Sequence, residues 1–329
     1  MHYLGTIFGT TLFWTGLLLA GSSAAADLEL PAGISTHPDG RMPIEELYRS
    51  YLTLLDKGWE LDIVTRSRPE GRSISLPIIA LRTRRTGDAA WILSGVHGEE
   101  PAGPNAIALS LEDITALGDN RAVVLLPLNN PHGYVHNWRY LNREDYSEIQ
   151  EGQSVGDSSH LLADTADPTR PRAPGPSSPE ADAITAYILA QLADYPPAAS
   201  IDLHEDNLIH EGYVYSQGRL GATDPLALIA VRALQDNGIA LKMGGETRFG
   251  EPIFSGIIGP VTDSSIDELM SAEYLVVGGQ QVPGPAARTV LVFETPAARV
   301  TLTKRVNAHA ALLKQLTLEL SSRSPQSDP

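Results

Sequence analysis

Short apolar runs alternate with helix-like stretches along almost the whole chain, and this constrains the fold more than any other feature. The strand-like runs are 77–82 (PIIALR), 90–96 (AWILSGV), 122–128 (AVVLLPL), 199–203 (ASIDL), 212–216 (GYVYS) and 289–294 (TVLVFE). Helix-like stretches lie between and around them at 43–56, 103–117, 179–194, 223–237, 264–273 and 298–321. Runs rich in Val, Ile and Leu without clean alternation suit a sheet covered on both faces. Strands alternating with helices predict an α/β domain with a largely parallel or mixed sheet. The stretch SPEADAITAYILAQL has a clear helix start, with Ser178 as N-cap, Pro179 at the first helical position and acidic residues in the first turn.

One stretch breaks the pattern. Residues 145–178, including DTADPTRPRAPGPSSP, are rich in Pro, Ser, Asp and Gly, as in long loops or linkers. A linker would divide the chain into 27–150 and 179–329. A surface loop inside one domain over 27–329 is the preferred reading, because candidate functional residues lie on both sides.

In a sheet of this kind, ligands bind outside the carboxyl ends of the strands. His97 follows one such end and is followed by Glu100, an H-x-x-E pair able to grip a metal if a third ligand arrives. His204, in SIDLHED, follows a second strand end, flanked by Asp202, Glu205 and Asp206; a carboxylate beside a ligating imidazole orients its ring. Two histidines and one glutamate leave a coordination position open, the pattern of a catalytic zinc site. Glu294 ends the very apolar run TVLVFE, where desolvation raises a carboxyl toward the range of a general base. Arg139 and Arg143, in NPHGYVHNWRYLNRED, offer guanidinium forks that match a carboxylate, with Asn142 beside them. His132 and His136 have H-x-x-x-H spacing, but Asn130-Pro131 and Gly133 argue against a helix there, so that spacing carries little weight.

Composition narrows the function classes. With a formal net charge of −16, the chain should repel nucleic acid and anionic membranes, and no basic patch offsets this. It has no cysteine, which excludes disulfides, a thiol nucleophile and thiolate metal sites. Residues 3–20 carry no charge and are followed by small residues ending at Ala24-Ala25-Ala26. That pattern predicts a signal peptide over 1–26, cleavage before Asp27 and an exported, periplasmic or secreted protein without stable membrane association. An uncleaved anchor is the competing reading.

Taken in order, HGEE, NPHG followed by Arg139, LNR, SSPEA, DLHE and FETP resemble the motifs of the zinc metallocarboxypeptidases (carboxypeptidase A-like), from about residue 43 to the C-terminus. The resemblance implies a mixed sheet of about eight strands between helices. It also implies one zinc ion held by His97, Glu100 and His204, with Glu294 as general base and then acid. Arg139 would polarise the scissile carbonyl, while Asn142 and Arg143 would hold the substrate's terminal carboxylate. Only two residues separate Arg139 from Asn142, fewer than in the family. Tyr274 stands at about the right distance before Glu294 to match the family's substrate-covering tyrosine.

The implied activity is removal of C-terminal residues from peptides. A related branch, the aspartoacylase and succinylglutamate desuccinylase type, uses a similar zinc site on small N-acyl amino acids. Its members usually carry a further β-rich domain after the catalytic glutamate, whereas here RVTLTKRVNAHAALLKQLTLEL reads as one amphipathic helix. A third reading is an exported peptide-binding protein that keeps the fold without turnover. The candidate substrate is a peptide or small amide with a free carboxylate.

Overall fold

The computed structural model describes residues 28, 33–69, 71–142 and 152–322. Residues 1–26, where a signal peptide is expected, and Arg143 therefore lie outside the described residues. In the first half the elements are α1 (Ile44–Leu52), β1 (Glu60–Ser67), β2 (Leu76–Arg82), β3 (Ala89–Ser94), α2 (Ala102–Leu109), α3 (Leu111–Asn120), β4 (Ala122–Leu126) and α4 (Pro131–His136). Then follow α5 (Pro179–Gln191), β5 (Pro197–Asp206), β6 (Tyr213–Ser216), α6 (Pro225–Asp236), β7 (Ile253–Phe254), β8 (Ile257–Ile258) and α7 (Ile266–Ser271). The chain continues through β9 (Tyr274–Val277), β10 (Gln280–Pro283), β11 (Thr289–Pro296) and α8 (Leu302–Ser322).

Nine of these strands form one mixed sheet in the order β1-β2-β4-β3-β5-β11-β6-β8-β7. The centre, β4-β3-β5-β11, is parallel; β2 and β6 join it antiparallel on either side. The parallel centre is where near-continuous apolar runs belong, since helices cover both of its faces.

Alternation along each central strand divides its side chains between two cores. Ala90 and Ile92 of β3, Ile201 and Leu203 of β5, and Leu291 and Phe293 of β11 pack with α1, α6 and α8. Trp91 and Leu93 of β3 and Val290 of β11 pack on the other face with Ile184 and Ile188 of α5 and Leu269 and Met270 of α7. Each fully buried Leu, Ile or Phe contributes roughly 1.5–3 kcal/mol by leaving water. On β5 the second face is polar: Ser200, Asp202 and His204 alternate with the apolar set. The strand is thus cleanly amphipathic once both sides are seen.

The expected helix at 103–117 is two helices, α2 and α3, broken at Ser110 (φ −108°, ψ 18°). Strand β1 escaped the pattern reading because Glu60, Asp62 and Arg66 interrupt its apolar positions; among the described residues it is an edge strand, paired with β2. The described part of the Pro-rich stretch is packed: Val155 and Leu162 are buried against the α5 and α7 core, and Ser178 caps α5 by accepting from the Ala181 N–H at 3.0 Å.

Residues 131–136 form helix α4, contrary to expectation. Asn130 is its N-cap, its Oδ1 accepting from the Gly133 N–H at 2.8 Å, and Pro131 occupies a first-turn position that needs no N–H. The residues that seemed to forbid the helix start it. His132 and His136 do stack, with ring centroids 6.3 Å apart, yet the metal-capable groups among the described residues are His97, Glu100 and His204, and Asp202, His204 and Asp267, and neither includes them. His132 is instead a buried core residue, its Nε2 3.2 Å from the Ser67 carbonyl oxygen.

Burial pushes the His132 imidazole down to about 4. The unfolded chain therefore binds a proton that the folded one refuses, and stability attributable to this group falls as pH drops from about 6.5 to about 4. His132→Gln should flatten the dependence of unfolding free energy on pH in that window. Equal slopes for the two proteins would show that His132 is not the titrating group.

Candidate metal centre

From β3 the chain crosses to β4 on one side and later returns to β5 on the other. The carboxyl ends of β3 and β5 therefore flank a switch point, where such sheets bind ligands. His97 leaves β3 on the turn 95–98. Gly98 is obligatory there, since a Cβ would lie 1.9 Å from the Gly133 carbonyl carbon of α4. Helix α4 thus backs the HGEE turn.

Glu100 is the hub. Its Oε1 is 2.8 Å from His97 Nδ1, and its Oε2 is 3.0 Å from His204 Nδ1. The Glu205 N–H donates to Oε2 at 3.1 Å, and Arg139 Nη1 donates to Oε1 at 3.0 Å and to Glu99 Oε1 at 3.2 Å. Behind His204, Asp202 Oδ2 lies 3.1 Å from Nε2, an electrostatic contact on the ring edge away from Glu100. Of the three acidic residues flanking His204 in sequence, only Asp202 does this. Glu205 points to the opposite face of the sheet, and Asp206 accepts from the Tyr213 hydroxyl at 2.7 Å.

His97, Glu100 and His204 each offer one ligand atom, all within 4.8 Å of one another. Two imidazole nitrogens and one carboxylate, without thiolate, are the donor set of a catalytic zinc site. The electrostatics fit a cation as well. Burial alone would lower His204, but Asp202 and Glu100 outweigh it and hold the ring well above its usual range. Burial would raise Glu100, yet His97 and His204 pull it well below the ordinary carboxylate range. Burial, helped by the neighbouring Arg139, lowers His97 to about 4, leaving a neutral imidazole free to ligate.

Glu294 sits beside this group because β5 and β11 are parallel neighbours in register, with Glu294 opposite His204 and Val292 opposite Asp202. It is partly buried, and its Oε2 has no hydrogen-bond partner among the described residues. Desolvation raises its carboxyl well above the usual range. Tyr213 stands opposite Glu294 on the far strand, β6. All of these groups open into one cleft of about 830 Å³, lined also by Arg139, Tyr140, Lys242 and Arg248.

The structure thus brings His97, Glu100, Arg139, His204 and Glu294 together. It does not bring Asn142: that side chain is exposed, is absent from the cleft lining, and its Oδ1 accepts from the Gln153 N–H at 3.0 Å. Tyr274 opens the separate β9–β10 hairpin, 43% exposed and outside the cleft lining. Spacing before Glu294 misplaced it, because the hairpin carries it away from the strand end. Sequence reasoning missed Glu99, whose Oε1 accepts from Arg139, and the cleft-lining Lys242 and Asp267. Only Asp267 had a local signal, the Ser265-capped start of α7, where Ser265 Oγ accepts from the Glu268 N–H at 3.1 Å.

No protein-family model matches the chain, and no curated protein matches it. Solved structures do. A Shewanella amazonensis protein described as a metallopeptidase superposes with a TM-score of 0.65 at 21% identity, over 83% of this chain and 92% of that one. A Shewanella denitrificans protein of the same description gives 0.63 at 20% identity, over 84% and 89%. A metallo-carboxypeptidase from Burkholderia cenocepacia gives 0.54 at 12% identity, over 84% of this chain and 69% of that one. At such identities the likeness establishes the fold: a mixed sheet between helices, as in carboxypeptidase-type metallopeptidases.

Proposed function

We propose that the protein is a zinc-dependent hydrolase that removes C-terminal residues from peptides. The observation that carries this reading is the convergence of His97, Glu100 and His204 at two adjacent strand ends, with Glu294 in register beside them. A zinc ion held by these three residues would supply Lewis acidity toward a carbonyl oxygen and activate water.

The chain's own residues supply the rest. Glu294, desolvated and without a hydrogen-bond partner on Oε2, is suited to take a proton from the attacking water and return it to the leaving amine. Arg139, held on the cleft wall by Glu99 and Glu100, is suited to donate to the carbonyl oxygen as negative charge grows on it. Asp202 lies against the His204 ring edge that faces away from Glu100. With Asn142 turned away, recognition of a terminal carboxylate falls to Arg143, or to the cleft-lining cations Lys242 and Arg248. Export of the mature protein, expected from the N-terminal pattern, is part of the same proposal. Among the described residues no helix is long and apolar enough to cross a membrane.

The test is mass spectrometry of peptides incubated with the zinc-loaded protein, each supplied with a free and with an amidated C-terminus. Loss of single residues from free ends only is the expected result. Cleavage inside the peptides would make it an endopeptidase. No cleavage of either set would turn attention to small N-acyl amino acids.

A further inference from the structure

The turn that carries His97 and Glu100 is held from behind by the chain preceding α1, through a side chain with no part in the chemistry above. Arg41 is 4% exposed and does not line the cleft. All five of its guanidinium N–H groups have acceptors. Nε donates to Asp39 Oδ1 at 2.9 Å, and Nη2 donates to Asp39 Oδ2 and to Asn137 Oδ1. Nη1 donates to two carbonyl oxygens at once, that of Gly98 at 2.9 Å and that of Tyr134.

Those two carbonyls belong to different segments. Gly98 lies between His97 and Glu100, and Tyr134 lies in the last turn of α4. The Trp138 N–H, which would reach the Tyr134 oxygen if α4 continued, donates to the Gly133 oxygen instead, at 2.9 Å. The Tyr134 oxygen is therefore one of the helix-end acceptors that need an outside donor. Gly98 and Gly133 are already so close that no side chain fits between them. Without Arg41, two buried carbonyl oxygens that share one donor would lose it together. The nearest relief is rotation of the Gly98–Glu99 peptide. That rotation would swing Glu99 and Glu100, and with them Arg139, which donates to both carboxylates.

The segment that delivers Arg41 is fixed as well. The Met42 N–H donates to Asn105 Oδ1 at 2.8 Å, and the Tyr134 hydroxyl donates to the Met42 carbonyl oxygen at 2.7 Å. Asn105 belongs to α2, the helix that starts directly after the turn.

We propose that Arg41 is a positioning residue for the metal centre: it sets the Gly98–Glu99 peptide, and so aims Glu100 at the metal and Glu99 at Arg139. This role rests on the zinc reading of His97, Glu100 and His204 given above, and not on peptide cleavage. Lysine is no substitute, because three donors on one nitrogen cannot reach Asp39, Asn137 and both carbonyls together.

The test compares wild type, Arg41→Lys and Asp39→Asn by zinc affinity in chelator competition, by the visible spectrum of the cobalt(II)-loaded proteins, and by urea midpoints of the zinc-free ones. Arg41→Lys should weaken zinc binding by about 10- to 100-fold, the usual effect of removing a group that orients a metal ligand, and should shift the cobalt bands. Asp39 is exposed, so Asp39→Asn keeps the fold and the guanidinium but loosens its anchor, and should weaken zinc binding less. A lowered midpoint with zinc affinity and cobalt spectrum as in wild type would make Arg41 purely structural and overturn the proposal. Should Arg41→Lys fail to fold, unchanged zinc affinity in Asp39→Asn overturns it in the same way. Wild-type protein that binds no zinc overturns the metal centre and this role together. Zinc bound without peptide cleavage, and bound more weakly by the variants, keeps this role and removes only the peptidase reading.

Discussion

Glu294→Gln is expected to keep zinc bound while lowering kcat by about 10²- to 10⁴-fold, the usual share of a positioned general acid–base. Glutamine preserves the shape and one oxygen but cannot accept the water's proton. Glu294 is not a member of the His97, Glu100, His204 group, so metal affinity has no direct reason to change. The raised carboxyl also sets a pH signature. Burial favours the protonated acid, so the basic form, and kcat/KM with it, should appear only as pH rises through a value well above that of an ordinary glutamate. Zinc content by mass spectrometry and rates across pH check both statements. Turnover of the variant within a few-fold of wild type would remove Glu294 from the mechanism. Loss of zinc from it would make the residue a ligand.

Arg305→Met is expected to destabilise the fold by about 3–5 kcal/mol at pH 8, because it strands a buried charge. Glu205 is 2% exposed and Arg305 8%. The Arg305 guanidinium donates to Glu205 Oε1, and the Ala102 N–H donates to Oε2 at 2.7 Å. Thr295 Oγ1 completes the network, 3.1 Å from His309 Nε2 on the same helix, α8. Glu205 lies on the sheet face opposite His204, yet its own N–H holds Glu100 Oε2. Helix α8 therefore anchors the strand end that carries His204 and holds Glu100.

The sign of the pH dependence follows from burial, which pushes Glu205 up to about 7. Between about 4.5 and 7 the folded protein keeps a proton that the unfolded chain has released, so this group's contribution to stability declines as pH rises through that window. The penalty of Arg305→Met should accordingly shrink at pH 5, where Glu205 is protonated. Replacing both partners, Glu205→Met with Arg305→Met, should restore most of the loss, since an apolar pair leaves no charge stranded. Urea midpoints at pH 5 and pH 8 measure all three proteins. A single variant that loses under 1 kcal/mol at pH 8 would show that α8 is not anchored through this pair.

The amino-acid sequence alone determined the layered α/β architecture. Burying a parallel sheet on both faces demands short Val, Ile and Leu runs, and helix starts such as Ser178-Pro179 are written within a few residues. It also marked His97, His204 and Glu294 as candidates at the ends of apolar runs, with Glu100 in the H-x-x-E pair, because a metal site calls for those residue types in such places. Tertiary structure decided the remainder. Whether Asp202 or Glu205 serves His204 depends on which face of β5 each takes, and that is set by what covers the two faces. The row joining His204, Glu294 and Tyr213 exists only through the register of β5, β11 and β6. Asp267 reaches the cleft because α7 packs across strands distant in sequence, and Arg305 reaches Glu205 from the last helix. Tyr274 has suitable spacing and the wrong place. Periodicity and capping act over a few residues of one segment. Contacts between segments follow from sheet order, register and helix packing, which no local stretch encodes.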